Sequence, residues 1–541
     1  MSKVTQTELV SEETSGFQAL AGGTAALAAL LFLLATAALF ELISITEPVA
    51  GVPVVALLGG LLILAGLGVV GFGVVSRLDL TGTDPERSAG LVAGTAFSLV
   101  WFITGTLVGA YALGLGLVAG AGFGIIGGGV AFVVTALTRE DIGSTIPAGA
   151  FALFIGLVFL SGLIGPSWSW TPAVFPSSNA VTFLASLSVP AIVALCALVV
   201  AWSAAKAYGG FGARGRHLGA HLLIYLNAAS IIAVLFGLVA FVVSKGLPGA
   251  SRDIAVGPGV GPEVTLVGIT FSLPLNWPFV MNGVALMVDV DGVLPAIAGT
   301  IWLVIGAVCL AVPLGVGAAV YLSEYAPQGR FTSIVEIVTN GLWSTPSIVF
   351  GLFGAAFLIP RFGGTKSLLA GMLTLGFMLL PLVVITSREA MLAVPDEYRD
   401  ASAALGVSKW QTIRSVVLPA ALPGVATGVI LGVGRIAGET APILLTMAGG
   451  TFVPGGQTVD VIGGFQFTAT PPFVSNEVLL QATSALPYQL YALITAGVGG
   501  QQIGNAQQFA WGTALVLLVV VLSFYAVGIA TRYYFQRRLK R

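Results

Sequence analysis

The sequence predicts an all-α integral membrane protein of about twelve spanning helices. Three observations predict it. Hydrophobic residues make up 57% of the 541-residue chain and charged residues only 8%, against about 25% charged in soluble domains. The mean hydropathy is +1.00. The apolar residues gather into runs of roughly 20, the length a helix needs to cross a hydrocarbon core about 30 Å thick. A water-soluble globule of this size needs a charged exterior that this composition does not supply.

The abundance of glycine, 72 residues, suits helices that approach closely in lipid, where small side chains let backbones touch. A formal net charge of −1 gives no sign of a nucleic-acid partner, and membrane lipid is the expected surrounding. Cys196 and Cys309 lie far apart in apolar runs and are expected as buried thiols, not a disulfide framework. The first 15 residues are polar and acidic, so no cleavable signal peptide is expected.

Spans are expected near 20–44, 52–75, 89–111, 117–137, 147–165 and 185–204, then near 222–243, 297–321, 332–358, 368–387, 420–446 and 509–531. With the N-terminus inside, the cytoplasmic side receives Lys3, Arg77, Arg87, Arg139, Lys206, Arg214, Arg216, Arg330, Arg388, Arg399, Lys409, Arg414 and the basic tail from Arg532 to Arg541. The outside receives Lys245, Arg252, Arg361 and Lys366. This excess of inside charge sets the orientation, with both termini cytoplasmic in a plasma-membrane protein. A basic linker, "AKAYGGFGARGRHLGAH" at 205–221, divides the chain. Residues 1–220 form six spans with short connections, and residues 221–541 form six with long loops.

One long cytoplasmic loop runs from 388 to 419. Pro395 stops the preceding helix, and Asp396 is expected to cap a short one from Glu397. Ala401, Ala404 and Leu405 share one face, and Gly406 ends the helix. A second stretch, "SKWQTIRSVVLP", is expected to close at Pro419. Two readings fit this shape: a rigid protrusion that docks into a cleft on a partner protein, or an interfacial helix anchored by Lys409 and Trp410.

Arg435 and Glu439 stand inside the run near 420–446, four residues apart and so expected on one helix face. A charge at mid-bilayer costs about 2.5–3.5 kcal/mol on insertion scales, so each needs a partner or a water-filled cavity. The two either neutralise one another and fix packing, or Arg435 offers its planar donor fork to a passing oxyanion while Glu439 holds it.

The cytoplasmic loop resembles the signature of ABC-importer permeases: E-A-A, three residues, Gly, nine residues, then I-x-L-P. Asp400-Ala401-Ser402, Gly406 and Val416-Val417-Leu418-Pro419 match it, with Asp in place of Glu and Val in place of Ile. "GRIAGETAP", Gly434 to Pro442, resembles the G-R-x-x-G-E-T-A-P stretch of the PstA-type permease of phosphate ABC importers. "PAIAGTIWLVIGAVCLAVPLGVGAAVYLSEYA", "STPSIVFGLFG" at Ser344–Gly354 and "TSALPYQLY" at Thr483–Tyr491 are similar to other parts of that family. The resemblance covers roughly 222–541 and implies a type I ABC-importer permease core.

It also implies that Arg435 and Glu439, with Thr440 beside them, lie on an anion pathway, and that the loop bearing Asp400, Ala401, Ser402, Gly406, Leu418 and Pro419 couples to an ATPase. The implied partners are an ATPase subunit dimer, a second permease subunit and an extracytoplasmic phosphate-binding protein. ATP acts through the partner ATPase, and no cofactor, metal or catalytic group is expected on this chain. A permease for molybdate, tungstate or sulfate is the alternative within transport, and an autonomous ion-coupled transporter the alternative outside it. "TPSIVFG", within the Ser344–Gly354 stretch, reads as a packing and kink element. Residues 1–220 show no second coupling loop, which favours an accessory membrane domain over a fused partner permease.

Other signals are discounted. "GGTKS" at 363–367 has Thr365 where a P-loop needs Gly. "GFGIIG" at Gly122–Gly127 lies in an apolar span and suits helix packing. His217 and His221 lack a nearby third metal ligand, and "DVDG" at Asp289–Gly292 lacks the rest of a calcium loop.

Overall fold

Helices whose faces are apolar all round carry the computed structural model, which describes residues 16–45, 47–171, 182–266, 269–283, 292–327, 329–448, 459–470, 473–497 and 506–539. Asp289 to Asp291, Pro172, Lys3, Lys540 and Arg541 lie outside the described residues. Among the described residues, eleven helices are long and apolar enough to cross a membrane, or twelve if one bent pair is a single span. Short antiparallel ribbons, such as Pro48–Val49 against Val52–Pro53 and Phe465–Phe467 against Val474–Asn476, close the connections. The chain divides into Met1–Phe241 and Val242–Arg541.

In the first unit α1 (Gly16–Leu39), α2 (Val54–Arg77), α3 (Leu91–Leu107), α4 (Gly116–Leu137), α5 (Glu140–Leu160) and α6 (Ala185–Tyr208) follow one another. The 39-residue α7 (Gly212–Ala250) begins here, and the division between the units falls inside it. Glycine spacing decides the closest contact. Gly59 and Gly66 of α2 face Gly156 and Gly149 of α5, and a β-carbon at Gly66 would stand 2.9 Å from the Gly149 carbonyl oxygen. This is small-residue packing, in which dispersion between backbones replaces a hydrophobic drive that lipid cannot supply. The "GFGIIG" stretch behaves the same way, because a β-carbon at Gly124 would stand 2.5 Å from the Phe102 carbonyl of α3.

The stretch expected as a basic linker is instead mostly helical. α6 runs to Tyr208, Gly209 to Phe211 make a turn, and α7 starts at Gly212. The reason is a buried ion pair. Lys206 Nζ lies 2.7 Å from Glu140 Oε1, both side chains have no solvent exposure, and Nζ also donates to Ser144 Oγ at 2.8 Å. Glu140 Oε2 accepts the backbone N–H groups of Glu86 at 3.0 Å and Gly212 at 2.9 Å. One carboxylate thereby ties together the start of α5, the end of α6, the start of α7 and the connection at Glu86. A buried charge persists only with such partners. Accordingly α5 begins at Glu140, ahead of the apolar run expected from 147. In the same knot the Arg216 guanidinium holds the Glu86 carboxyl below its ordinary pKa by hydrogen bonding.

The second unit is built on α9 (Leu294–Val320), preceded by the single turn α8 (Pro278–Met281), and on α10 (Arg330–Ser344), α11 (Ser347–Phe353) and α12 (Leu368–Leu392). The short helices α13 (Asp396–Ala404) and α14 (Lys409–Thr412) lead to α15 (Leu418–Ala437), and α16 (Ala441–Thr446), α17 (Leu486–Gly497) and α18 (Ala506–Leu539) complete it. The most buried span is α12; its Leu375, Leu379 and Val383 join Leu303, Ala307 and Ala311 of α9, together with Ile436 of α15, in one core.

Two expected spans are not continuous. The one near 332–358 is broken between α10 and α11 by a bend of 99°, because Pro346 cannot continue the helix and holds Thr345 in extended backbone. The kink expected at "TPSIVFG" is this bend. The one near 420–446 stops at Ala437 and resumes at Ala441. Gly438 and Pro442 bracket that break, so Arg435 and Glu439 do not share one continuous helix face.

Candidate functional site

The segments singled out in the sequence meet inside the second unit. α11 packs on α16, and a β-carbon at Gly351 would stand 2.9 Å from the Pro442 Cα. The Leu486 N–H at the start of α17 donates to Thr300 Oγ1 of α9 at 2.9 Å. Lys366 donates to the Leu444 carbonyl of α16 at 2.8 Å, which gives the lysine of "GGTKS" a structural partner.

Arg435 occupies the last turn of α15, Glu439 the break and Thr440 the residue before α16, where its carbonyl accepts the Leu444 N–H at 2.9 Å. All three predicted pathway residues thus lie at or beside the break. Arg435 Nε lies 3.7 Å from Glu439 Oε1, with side-chain exposures of 34% and 19%. That separation is an ion pair but exceeds the roughly 3.2 Å limit of an N–H···O hydrogen bond. The guanidinium instead lies over the Trp343 ring of α10, with Cζ 4.1 Å from the ring centroid. Among the described residues its N–H groups make no hydrogen bond, so the donor fork is left for another group. Gly434 is required locally, since a β-carbon there would collide with the Tyr525 ring of α18.

The loop expected to couple outward has a defined internal geometry. Pro395, not Asp396, is the cap of α13, and Asp396 is the first helical residue; proline fits there because it presets the extended backbone before a helix. At the other end Gly406 takes φ +72°. Its N–H bonds to the Ala403 carbonyl at 2.9 Å and the Val407 N–H to the Ser402 carbonyl at 3.2 Å, the paired bonds of a Schellman motif. Ser408 and Gln411 then form a capping box that starts α14.

The second stretch does not close at Pro419. A π turn at Ile413–Val417 leads directly into α15. The regular bonding is already interrupted there, so the missing N–H of Pro419 breaks nothing. Leu418 and Pro419 are half-buried at this junction.

The faces of α13 divide sharply. Asp400, Ala401, Ala404 and Leu405 are exposed, Leu405 by 81%, and Tyr398 and Trp410 stand beside them. Ser402 is turned inward, its hydroxyl donating to the Tyr398 carbonyl at 2.9 Å. Arg399 also points inward. It donates to the Glu324 carboxylate at 2.8 Å and to the carbonyls of Met391 at 3.0 Å and Val394 at 2.7 Å. Glu324 lies in the π turn Tyr321–Tyr325 that ends α9. Hydrogen bonding to it raises the Arg399 pKa above the ordinary arginine value.

Two residues of these contacts escape the sequence reading. Arg399 counts there only as an inside charge, and Trp343 carries no signal, because each meets its partner across a long stretch of chain.

A family model described as a binding-protein-dependent transport system inner membrane component matches residues 311–541. The phosphate transport system permease protein PstA of Xylella fastidiosa (strain Temecula1) is 32% identical over 307 residues, covering 55% of this chain and 89% of its own length. PstA 1 of Mycobacterium tuberculosis (strain CDC 1551) is 34% identical over 262 residues, covering 48% and 77%. Among solved structures, the MetNI methionine ABC transporter in an inward-facing conformation is 18% identical with a TM-score of 0.32, over 45% of this chain and 94% of that chain.

Proposed function

Because the chain belongs to the family of binding-protein-dependent transport system inner membrane components, we propose that it is the permease subunit of an ATP-driven phosphate importer. It forms part of the anion pathway and takes its energy from a separate ATPase dimer. The observation that supports this most is the state of Arg435. A guanidinium inside a spanning bundle lies over a ring, 4.1 Å from its centroid, while its carboxylate partner stays at 3.7 Å. Arg399 by contrast spends its donors on carboxylate and carbonyl oxygens; an open donor fork suits a transient oxyanion. The discontinuity at Gly438–Thr440 fits the same role, since broken helices in transporters occur where backbone lines a cavity.

In this reading an extracytoplasmic binding protein delivers phosphate to this chain and a second permease. α13 and α14, on the cytoplasmic side, dock in the ATPase through the exposed row Tyr398, Ala401, Leu405 and Trp410. ATP-driven closure of the ATPases then moves α15 through the rigid Gly406 turn and exchanges access to Arg435, with Glu439 receiving the guanidinium when the anion leaves. Residues 1–220 serve as an accessory membrane domain.

The test is purification of the tagged full chain in mild detergent, followed by reconstitution of whatever accompanies it. A co-purifying ATPase and ATP-dependent phosphate uptake are the expected results. A chain that purifies alone and moves phosphate without ATP contradicts the reading, and uptake of sulfate or molybdate in preference to phosphate replaces the substrate.

A further inference from the structure

Trp343 stands next to the last residue of α10, immediately before the 99° bend. Its neighbours Leu342 and Ser344 are exposed, whereas Trp343 is half-buried and packs against the core of the second unit. α10 has a second tie that does not involve Arg435. Glu336 lies two turns earlier on the same helix face, and its carboxylate pairs with the Arg388 guanidinium of α12. The indole is therefore presented to Arg435 by a helix that a second ion pair already holds.

Stacking has a particular consequence for a guanidinium. All five N–H donors lie in its plane and point outward along its edges. A ring against one flat face restrains the plane and uses none of those donors. A carboxylate that held the group equally firmly would occupy two of them. Here the guanidinium carbon lies over the indole, 4.1 Å from the ring centroid, with Glu439 beyond hydrogen-bond distance.

We infer that Trp343 is a positioning residue, which holds the Arg435 donor fork oriented for the anion without consuming its hydrogen bonds. This rests on the reading of Arg435 as a phosphate contact. An aliphatic residue of similar bulk fills the space but offers no π face, so the fork becomes free to turn toward Glu439 and the site is populated less often in its anion-ready form. The loss appears as weaker apparent affinity, while the ATP-driven steps proceed at their usual rate once phosphate is bound.

The experiment compares Trp343→Leu, Trp343→Met, Trp343→Phe and Arg435→Lys in the complete transporter, with concentration-dependent phosphate uptake as the readout and subunit co-purification as the assembly control. Trp343→Leu should raise the half-saturating phosphate concentration roughly three- to tenfold, the range expected from losing a partly desolvated cation–π contact, with the maximal rate little changed. Trp343→Phe should remain within about twofold of the parent, because a ring face is retained.

An unchanged half-saturation in Trp343→Leu overturns the inference, as does an equal loss of maximal rate in the Leu and Phe variants, which marks a packing role. Failure of Trp343→Leu to assemble, shared by Trp343→Met but not by Trp343→Phe, likewise assigns the residue to packing. Normal uptake by Arg435→Lys is a separate outcome: it removes the Arg435 reading itself, whatever the Trp343 variants do.

Discussion

Arg399 of α13 donates to the Glu324 carboxylate at the end of α9 at 2.8 Å. The same guanidinium reaches the Met391 and Val394 carbonyls, so a single side chain fastens the protruding loop to two spans. Arg435 presents the opposite condition, with no hydrogen bond from its donors among the described residues. Two arginines of one unit thus differ in what their donors meet: Arg399 spends them on a carboxylate and two carbonyls, and Arg435 lies over a ring.

Replacement of Arg399 by alanine should loosen this clamp and leave the Glu324 carboxylate, only 7% exposed, without its guanidinium. A hydrogen bond to a charged group contributes about 1.5–3 kcal/mol. The expected result is a fall in phosphate uptake per ATP hydrolysed, with the spans still inserted. Parallel uptake and ATPase assays on one preparation check it, and the Glu324→Arg, Arg399→Glu exchange should restore part of the coupling.

At Gly406 the φ of +72° is left-handed backbone, which costs an L-residue with a β-carbon about 1–2 kcal/mol. Gly406→Ala should therefore weaken the turn between α13 and α14, while Gly406→Asn should be milder because asparagine tolerates that region. Nothing lies within 4 Å of a β-carbon built there, so any loss reports backbone strain and not collision. Recovery of the ATPase during detergent purification gives the ranking Gly, then Asn, then Ala.

Leu405 is 81% exposed and Trp410 is 56% exposed. Docking in an ATPase and lying on lipid both place an apolar surface here, and charge separates them. Leu405→Glu should abolish ATPase recovery while the amount of inserted protein stays normal. Retained ATPase with altered lipid partitioning contradicts docking at this face.

In the first unit, Lys206→Met should leave the buried Glu140 carboxylate without its nearest cation, with Arg216 at 3.8 Å the remaining one; removing one partner of a buried pair costs about 3–5 kcal/mol. The Lys206→Met, Glu140→Gln double variant should recover much of it. Thermal unfolding of the purified chain in detergent distinguishes the two, and equal melting temperatures contradict the pairing.

Much of this fold is legible in the sequence because lipid imposes a simple rule: apolar runs of the right length become helices. The runs beginning near 52, 117, 185 and 368 correspond to α2, α4, α6 and α12, with starts within about two residues and ends within about five. Gly406 announces its turn through the one conformation that favours glycine. The misreadings have physical causes. Lys206 counts as an exposed basic residue until Glu140, far away in sequence, is seen to bury it. Arg435 and Glu439 read as helical neighbours because spacing ignores the break, although Gly438 and Pro442 together signal it. Trp343 could not be found at all, since a ring partner leaves no periodic trace.

The measurement that tests the central claim most directly is phosphate uptake by Arg435→Lys in vesicles containing the full set of subunits. Lysine keeps the positive charge but replaces the planar fork with a point donor. The account predicts at least a roughly tenfold loss of uptake, with the complex still assembled and still hydrolysing ATP. Uptake at the parental rate would contradict it and assign Arg435 to packing against Trp343.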